Sequence, residues 1–255
     1  MIKVFHFAML CLVLAASLYS AAGASSINSS PARKKVLYLI HSAGFKHQVL
    51  PLSGEIFKQI CDGSGSFDAT VSEDCSLINR DGLKSFSAVV FYTTGELPIS
   101  DEQKAAFLDF IKSGHGFVGI HSATDTFYKW PEYGELIGGY FDGHPWHQEV
   151  TVKVEDPKHP ITKHLGSSFK ITDEIYQFKS FSRDRVKVLL SLDTSSVDLT
   201  KQGVHRTDRD FALAWCRDYG RGRVFYTALG HRDEVWRDER FQRLLLEGLM
   251  WVARL

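Results

Sequence analysis

Cysteine and net charge are both scarce in this sequence. Four cysteines among 255 residues are too few for a fold built on disulfides. The 30 Lys and Arg residues balance the 30 Asp and Glu residues, so no overall field favours nucleic acid or an anionic membrane surface. Internal repeats, low-complexity tracts and a linker-like stretch between domains are also missing. We therefore expect one domain of ordinary globular composition.

The N-terminus has the pattern of a cleaved signal peptide. Lys3 precedes an apolar stretch over residues 4–18, and Ala22 and Ala24 supply the small residues of a cleavage site. The stretch is short for a bilayer span, and no basic stop-transfer cluster follows it. We expect a secreted or periplasmic protein that leaves the membrane after cleavage. Its expected organisation is a signal peptide at 1–24, a flexible leader at 25–33 and a single domain at 34–255.

Three cysteines remain after cleavage, which is an odd number for an exported chain. Cys61 and Cys75 form the best local pair, and a disulfide closing a loop of that length is worth ~3 kcal/mol. Buried free thiols are the alternative for these two residues and for Cys216. The sequence leaves both alternatives open.

Strand-like and helix-like segments alternate in the first half. Apolar, β-branched runs predict strands at 34–42, 67–74, 86–95 and 116–122. Helical spacing predicts helices at 49–63 and 100–114, the second with a capping box of Ser100 and Gln103. Such alternation predicts an α/β fold, with a parallel sheet covered by helices on both faces.

The second half is less regular. Its pattern predicts a short helix at 130–141, a loop at 156–166, strands at 149–156, 187–194, 211–220 and 222–230, and a closing amphipathic helix at 239–255.

Three of the predicted strands end in histidine. His41 and His47 follow the first, His121 ends the fourth, and His231 follows the last. Ligands of an open parallel sheet bind at the carboxyl ends of its strands. The irregular half adds further polar residues in loops or strand edges, namely His144, His147, Asp173, Glu174 and Tyr176. We expect at least three of the histidines to share one pocket, where they could transfer protons or bind a metal.

The stretch "GIHSA" has the spacing of a nucleophile elbow. Gly119 and Ala123 flank His121 at two residues on either side, which leaves room for a tight strand-to-helix turn. The centre of such an elbow in hydrolases and amidotransferases is serine or cysteine. Ser122 lies one position away and should point away from the site, so covalent triad chemistry is disfavoured.

Aromatic residues are dense around this elbow. We expect most of them to pack in the core and an exposed pair to suit the apolar face of a sugar ring. They are Phe127, Tyr128, Trp130, Tyr133, Tyr140, Phe141 and Trp146.

Several long stretches resemble the ThuA-like (trehalose utilisation) family of the class I glutamine amidotransferase-like superfamily. They are "SAGFKHQ", "GFVGIHSATDTFYKWPEYGELIGGYFDGHP", "DPKHPIT", "ITDEIYQF", "AWCRDYGRGRVFYTALGH" and "FQRLLLEGLMWVA". The resemblance implies a three-layer, flavodoxin-like fold with a mostly parallel central sheet. It also implies loss of the glutaminase cysteine, whose place His121 takes.

The resemblance also implies which residues meet in the pocket. It places Gly44, Phe45 and His47 in the first loop and His121 and Asp125 in the elbow loop, and it brings His144, Glu174, Tyr176 and His231 to the same pocket from the second half. Within this set we expect substrate to be bound by Gly44, Phe45, Lys46, His47, Asp125 and Tyr176. The expected catalytic residues are His121, Glu174, His144 and His231, the last two as ligands or electrostatic stabilisers. Lys46 stands where relatives commonly have arginine, so bidentate recognition is lost there.

Three functions fit these residues. The first is an exported enzyme (a hydrolase, lyase or isomerase) that acts on a glycoside or keto-disaccharide, with His121 and Glu174 as acid and base. The second is a sugar-binding module without catalysis. The third is a metal-assisted hydrolase that holds a divalent ion such as zinc, without an HExxH or CxxC motif. Its candidate ligands are His47, His121, His144 and His231. In every case the expected partner is a small sugar and not a nucleic acid.

Overall fold

A computed structural model describes Ile2 and residues 32–255, and the fold below is that of the unit Arg33–Leu255. The predicted signal peptide, its cleavage site and most of the predicted leader lie outside the described residues. Within the part of the chain that is described, no helix is both long enough and apolar enough to cross a bilayer.

The first half has the predicted alternation. Its elements are β1 (Lys34–Leu39), α1 (Leu50–Ser64), β2 (Phe67–Ser72), α2 (Arg80–Leu83), β3 (Ala88–Phe91), α3 (Asp101–Lys112) and β4 (Gly116–Ile120). The capping box of α3 is present, because Ser100 accepts a hydrogen bond from the Gln103 backbone and the Gln103 side chain returns one. Helix α1 ends at Gly65, whose φ of 65° is the left-handed cap that glycine favours.

The second half contains more strand than the sequence indicates. Its elements are α4 (Pro131–Ile137), β5 (Tyr140–Phe141), β6 (Trp146–Val154), β7 (Ser168–Ile175), β8 (Phe178–Lys179), β9 (Lys187–Leu192), β10 (Ala212–Tyr219), β11 (Gly222–Thr227), α5 (Asp233–Arg237) and α6 (Glu239–Ala253). Strand β6 begins three residues before the predicted strand. Strand β7 was not predicted because Asp173 occupies one of its buried positions and breaks the apolar alternation.

Nine strands form one sheet in the order β2-β1-β3-β4-β11-β10-β9-β6-β7. The first five strands in this order, β2, β1, β3, β4 and β11, are parallel to one another. Each of the following strands, β10, β9, β6 and β7, is antiparallel to the strand before it in the order. Because β9 and β7 point the same way as those five, seven of the nine strands share one direction. The prediction of a mostly parallel sheet is therefore confirmed.

Strand β4 lies at the centre of three layers. On one face, the Phe117 ring meets Phe107 of α3 at a centroid distance of 5.4 Å. On the other face, Gly116 lies against Val252 of α6, where a Cβ would come within 2.7 Å of that side chain. Helices therefore cover both faces of the sheet, and an apolar strand is buried between them.

The three cysteines that the structure describes are free and buried. The disulfide alternative for Cys61 and Cys75 is therefore wrong, and the free-thiol alternative is correct. Loop length alone suggested the pair, but each sulfur packs into the core separately. Burial raises the pKa of the Cys61 thiol to about 12 and that of Cys75 to about 11.

Candidate functional site

His121 sits at a sharp turn where β4 meets a short 3-10 helix. Its φ is 46°, a left-handed conformation that is uncommon for a residue other than glycine. A Cβ on Gly119 would come within 2.9 Å of the Tyr226 ring and 3.3 Å of the Ala123 side chain, so only a small residue fits there. Tyr226 donates a hydrogen bond to the His121 carbonyl at 2.7 Å. The structure thus contains the elbow that the spacing predicts, with histidine at its centre.

The His121 ring is fully buried and has a fixed direction. Its Nδ1 donates to the Ala228 carbonyl at 2.6 Å, just beyond the end of β11. Its Nε2 therefore points the other way, where it lies 2.9 Å from the Tyr176 hydroxyl. Because Nδ1 is used in this hydrogen bond, Nε2 is the ring nitrogen that is left to contact other groups of the site.

Glu174 joins the histidines together. Its Oε2 lies 3.2 Å from Nε2 of His121 and 3.2 Å from Nδ1 of His231. Its Oε1 lies 3.3 Å from Nδ1 of His144 and 3.8 Å from Nε2 of His147, which faces Glu174 across the β6–β7 pair. Burial opposes the charged form, but the His121 and His231 rings outweigh it and hold the Glu174 pKa well below its usual value.

Asp173 fixes the loop that carries His231. The buried Asp173 carboxylate accepts a hydrogen bond from the Gly230 amide at 2.7 Å, and Tyr92 donates to the Gly230 carbonyl at 3.0 Å. Burial would lower the His231 pKa, but its contact with Glu174 outweighs burial and raises it. The loop after β11 therefore presents the His231 ring to Glu174 in a fixed position.

His47 closes the inner side of the cluster. The residue is only 5% exposed, and its ring packs edge-on against those of His121 and His231. Burial, followed by repulsion from these two rings, lowers the His47 pKa to about 3. One donor atom each from His47, His121, Glu174 and His231 lies within 4.8 Å of the others. Such a group has the donors that a divalent metal binds.

The cluster opens into a cavity of about 460 Å³, a size suited to a small ligand. Its lining consists of Phe45, His47, Asp125, Phe141, His144, His147, Glu174, Tyr176 and His231. Phe45 is 65% exposed and Phe141 is half-buried, so the cavity has apolar walls beside its polar floor. The Tyr128 hydroxyl donates to Asp125 at 2.7 Å, while burial raises the Asp125 pKa.

Most of the residues expected at the site converge on it, but three of them do not line the cavity: His121, which is buried behind the lining, Lys46 and Gly44. Lys46 extends towards Glu73 at 3.8 Å and lines a neighbouring cleft instead. Gly44 contributes only backbone, which packs against Gly95. A strand end fixes where the chain turns, but it does not fix which way each following side chain points. Gly44 and Lys46 thus lie in the loop after β1 but outside the cavity lining.

Other residues of the sequence patterns have supporting or unrelated positions. His41 contacts the Glu73 carbonyl and lies outside the cluster. The Ser122 hydroxyl is buried outside the cavity lining, as expected for a residue beside the elbow centre. Tyr92 and Tyr128 support the site through hydrogen bonds that no local sequence pattern indicates. Most of the aromatic residues near the elbow are buried, as expected.

The family model described as trehalose utilisation, ThuA, matches residues 35–252. The chain belongs to the ThuA family. A solved ThuA-like protein from Bacteroides uniformis is similar to it, with 28% identity, a TM-score of 0.74, and coverage of 89% of this chain and 94% of that one. A second ThuA-like protein, from Parabacteroides merdae, has 22% identity and a TM-score of 0.68, over 87% of this chain and 90% of that one.

The fold extends beyond ThuA-like proteins. A β-galactosidase from Bacillus circulans matches 87% of this chain with 30% of its own length, at 12% identity and a TM-score of 0.53. At that identity the likeness shows the fold alone. No curated protein sequence matches the chain. The three-layer, flavodoxin-like fold of the glutamine amidotransferase-like superfamily is thus confirmed, and the family description supports a carbohydrate-related role.

Proposed function

We propose that this ThuA-family chain is an enzyme that acts on a glycoside or keto-disaccharide by acid–base chemistry, without a covalent enzyme intermediate. The observation that carries the proposal is the contact between Oε1 of Glu174 and Nδ1 of His144 at the mouth of the cavity. A carboxylate beside one ring nitrogen orients the imidazole and leaves the other nitrogen for the substrate. The elbow supports the same conclusion, because its central residue is not a serine or cysteine.

The geometry favours His144 over His121 as the proton-transfer group. His121 is fully buried and lies behind the cavity lining, so it positions Glu174 instead of meeting the substrate. Both oxygens of Glu174 are engaged by histidine nitrogens, which suits an orienting role better than that of a base. His144 is half-exposed at the cavity and can accept a proton from a carbon next to a keto group. This assignment replaces the expected acid–base pair of His121 and Glu174.

Asp125 is the best placed acid. It lines the same cavity, and the Tyr128 hydroxyl holds one of its oxygens at 2.7 Å. Elimination from a keto-glycoside requires a proton for the departing oxygen, which a carboxylic acid can supply. The exposed Phe45 ring and the Phe141 ring would contact the apolar face of a sugar.

Turnover of keto-disaccharides and of their unoxidised parents, trehalose included, tests the proposal. We expect His144→Asn to lower kcat/KM by about 10²- to 10⁴-fold. Glu174→Gln should cost a similar factor, and the double variant should cost little more than either alone because the two residues act as a unit. His41→Asn is the control, because His41 contacts the Glu73 carbonyl and lies outside both the cavity lining and the histidine cluster.

The outcome also separates an enzyme from a binding module. Saturable binding of these sugars with no product after long incubation would support the sugar-binding alternative and contradict the enzyme. Unchanged turnover in His144→Asn would refute the assigned base while leaving the enzyme in place.

We also propose export, which rests on the sequence pattern of residues 1–24 alone. The N-terminal sequence of the protein recovered from its native host tests it. A mature chain that starts near Ser25 would support export, and an intact N-terminus in the cytoplasm would contradict it.

A further inference from the structure

We propose that His47, His121, Glu174 and His231 bind one divalent transition-metal ion of the zinc or cobalt class on the inner side of the cavity. The inference concerns binding, and it does not rest on the proposed reaction. It draws on three features of the structure, namely the spacing of the donor atoms, the hydrogen bonds that orient them, and the unpartnered nitrogen of His47.

The spacing of three donor atoms fits a single ion. Nε2 of His121, Nδ1 of His231 and Oε2 of Glu174 form a triangle with sides of 3.2, 3.2 and 3.3 Å. Tetrahedral ligands at the usual Zn–N and Zn–O distances are about 3.3 Å apart. The ring of His47 closes the set, with all four donor atoms within 4.8 Å of one another.

Hydrogen bonds around the cluster orient its donor atoms in the way that is usual for the ligands of a bound metal. Metal-ligating histidines usually donate their other ring nitrogen to a carbonyl or carboxylate. His121 does so, because its Nδ1 donates to the Ala228 carbonyl at 2.6 Å. The loop that presents His231 is fixed by the hydrogen bond from the Gly230 amide to Asp173. The directions of the donors are therefore set by backbone and core groups.

Hydrogen bonds within the cluster do not account for every donor atom. Nδ1 of His121 already gives its hydrogen to Ala228, so in the neutral ring Nε2 carries a lone pair. The Tyr176 hydroxyl can donate to that lone pair at 2.9 Å, but the Glu174 carboxylate at 3.2 Å meets it with lone pairs of its own. The Nδ1 atom of His47 is buried and has no hydrogen-bond partner among the described residues. A bound cation would take the Nε2 lone pair in place of the Tyr176 hydroxyl, and it would turn the repulsion between the facing lone pairs of His121 and Glu174 into two ligand bonds.

The donor set also selects the class of ion. Three imidazole nitrogens and one carboxylate oxygen suit zinc, cobalt and similar ions, whereas magnesium and calcium prefer oxygen. Three of the four residues line the cavity, so the ion would face a bound sugar. It could polarise a keto or hydroxyl oxygen there, while Oε1 of Glu174 remains directed at His144.

Metal binding by the full chain without an affinity tag tests the inference directly. After dialysis against a chelator, calorimetric titration with ZnCl₂ or CoCl₂ should give one site per chain. Cobalt should also give the intense visible absorption of a tetrahedral site. We expect Glu174→Gln, His231→Asn and His47→Asn each to weaken binding at least tenfold, whereas His41→Asn outside the cluster should not.

His144→Asn distinguishes this ligand set from one that includes His144. It should retain the ion, because His144 contacts the outer oxygen of Glu174, and it should lose turnover if the proposed function is correct. Metal binding and turnover are measured separately in this variant, so the metal site and the proposed function can each fail without the other.

Two results would overturn the metal site. One is the absence of saturable zinc or cobalt binding by the wild-type chain. The other is full affinity in Glu174→Gln together with its loss in His144→Asn. Should a variant fail to fold, X-ray absorption at the zinc or cobalt edge of the loaded wild-type chain should show three imidazole nitrogens and one carboxylate oxygen as ligands, and a set without imidazole would contradict the site.

Discussion

Replacing Gly119 by alanine should destabilise the protein and disturb its site at the same time. The added Cβ would lie 2.9 Å from the Tyr226 ring, 3.1 Å from Ile137 and 3.3 Å from Ala123. Tyr226 has little freedom to move, because it is buried and its hydroxyl holds the His121 carbonyl at 2.7 Å. Overpacking of a dense core by one methyl group costs about 1–3 kcal/mol. In a domain of this size, that lowers Tm by roughly 2–4 °C per kcal/mol.

Gly63→Ala is the matched control for this change. Gly63 lies within α1, and a Cβ there would meet nothing within 4 Å. Alanine is favoured over glycine in a helix by about 0.8–1 kcal/mol, so the same substitution should raise Tm. Thermal unfolding followed by circular dichroism measures both variants. A Gly119→Ala protein as stable as the wild type would refute the claim that the elbow has no room for a side chain at this position.

Three further predictions follow from the same structure. Tyr226→Phe should cost about 1–3 kcal/mol in urea unfolding, because it leaves the buried His121 carbonyl without its strongest donor. The hydrogen bond from the Arg183 guanidinium lowers the pKa of Glu155 below its ordinary value of 4.5. The ion pair therefore stabilises the folded state above pH 4.5, and this stabilisation is lost as the pH falls through the lower pKa that Glu155 has in the folded protein. Arg183→Ala should therefore reduce the dependence of Tm on pH between 3 and 5, as melting curves across that range would show. Zinc at about 100 times its Kd should raise the free energy of unfolding by about 2.7 kcal/mol, measured as a shift in Tm.

The parallel half of the fold could be predicted because its signals are local. Strands buried on both faces give continuous apolar runs, and the Ser100–Gln103 capping box marks the start of α3. The rule that ligands bind at the carboxyl ends of parallel strands then brings three histidines to one edge. That rule correctly placed His47, His121 and His231 together.

The antiparallel half could be predicted only in part because its arrangement depends on pairing between distant residues. Glu174 reaches the cluster because β6 and β7 pair in a register that sets it opposite His147. Register is decided by packing across the sheet, and a shift of one residue would turn Glu174 to the other face. The metal candidates taken from sequence included His144, whereas the structure places Glu174 in the inner set and His144 outside it.

The position of His121 at the elbow is explained by its contact with Glu174, because the first residue belongs to the parallel half of the sheet and the second to the antiparallel half. An elbow raises its central side chain above the sheet edge, where a serine or cysteine would meet a carbonyl carbon. The His121 ring is longer than either side chain, and with its Nδ1 hydrogen-bonded to Ala228 its Nε2 lies 3.2 Å from Glu174. The strained backbone therefore serves to hold a ring nitrogen beside a carboxylate supplied by β7. Glu174 in turn offers one oxygen to this inner group and the other to His144, so a single residue of the antiparallel half links the buried cluster to the cavity mouth.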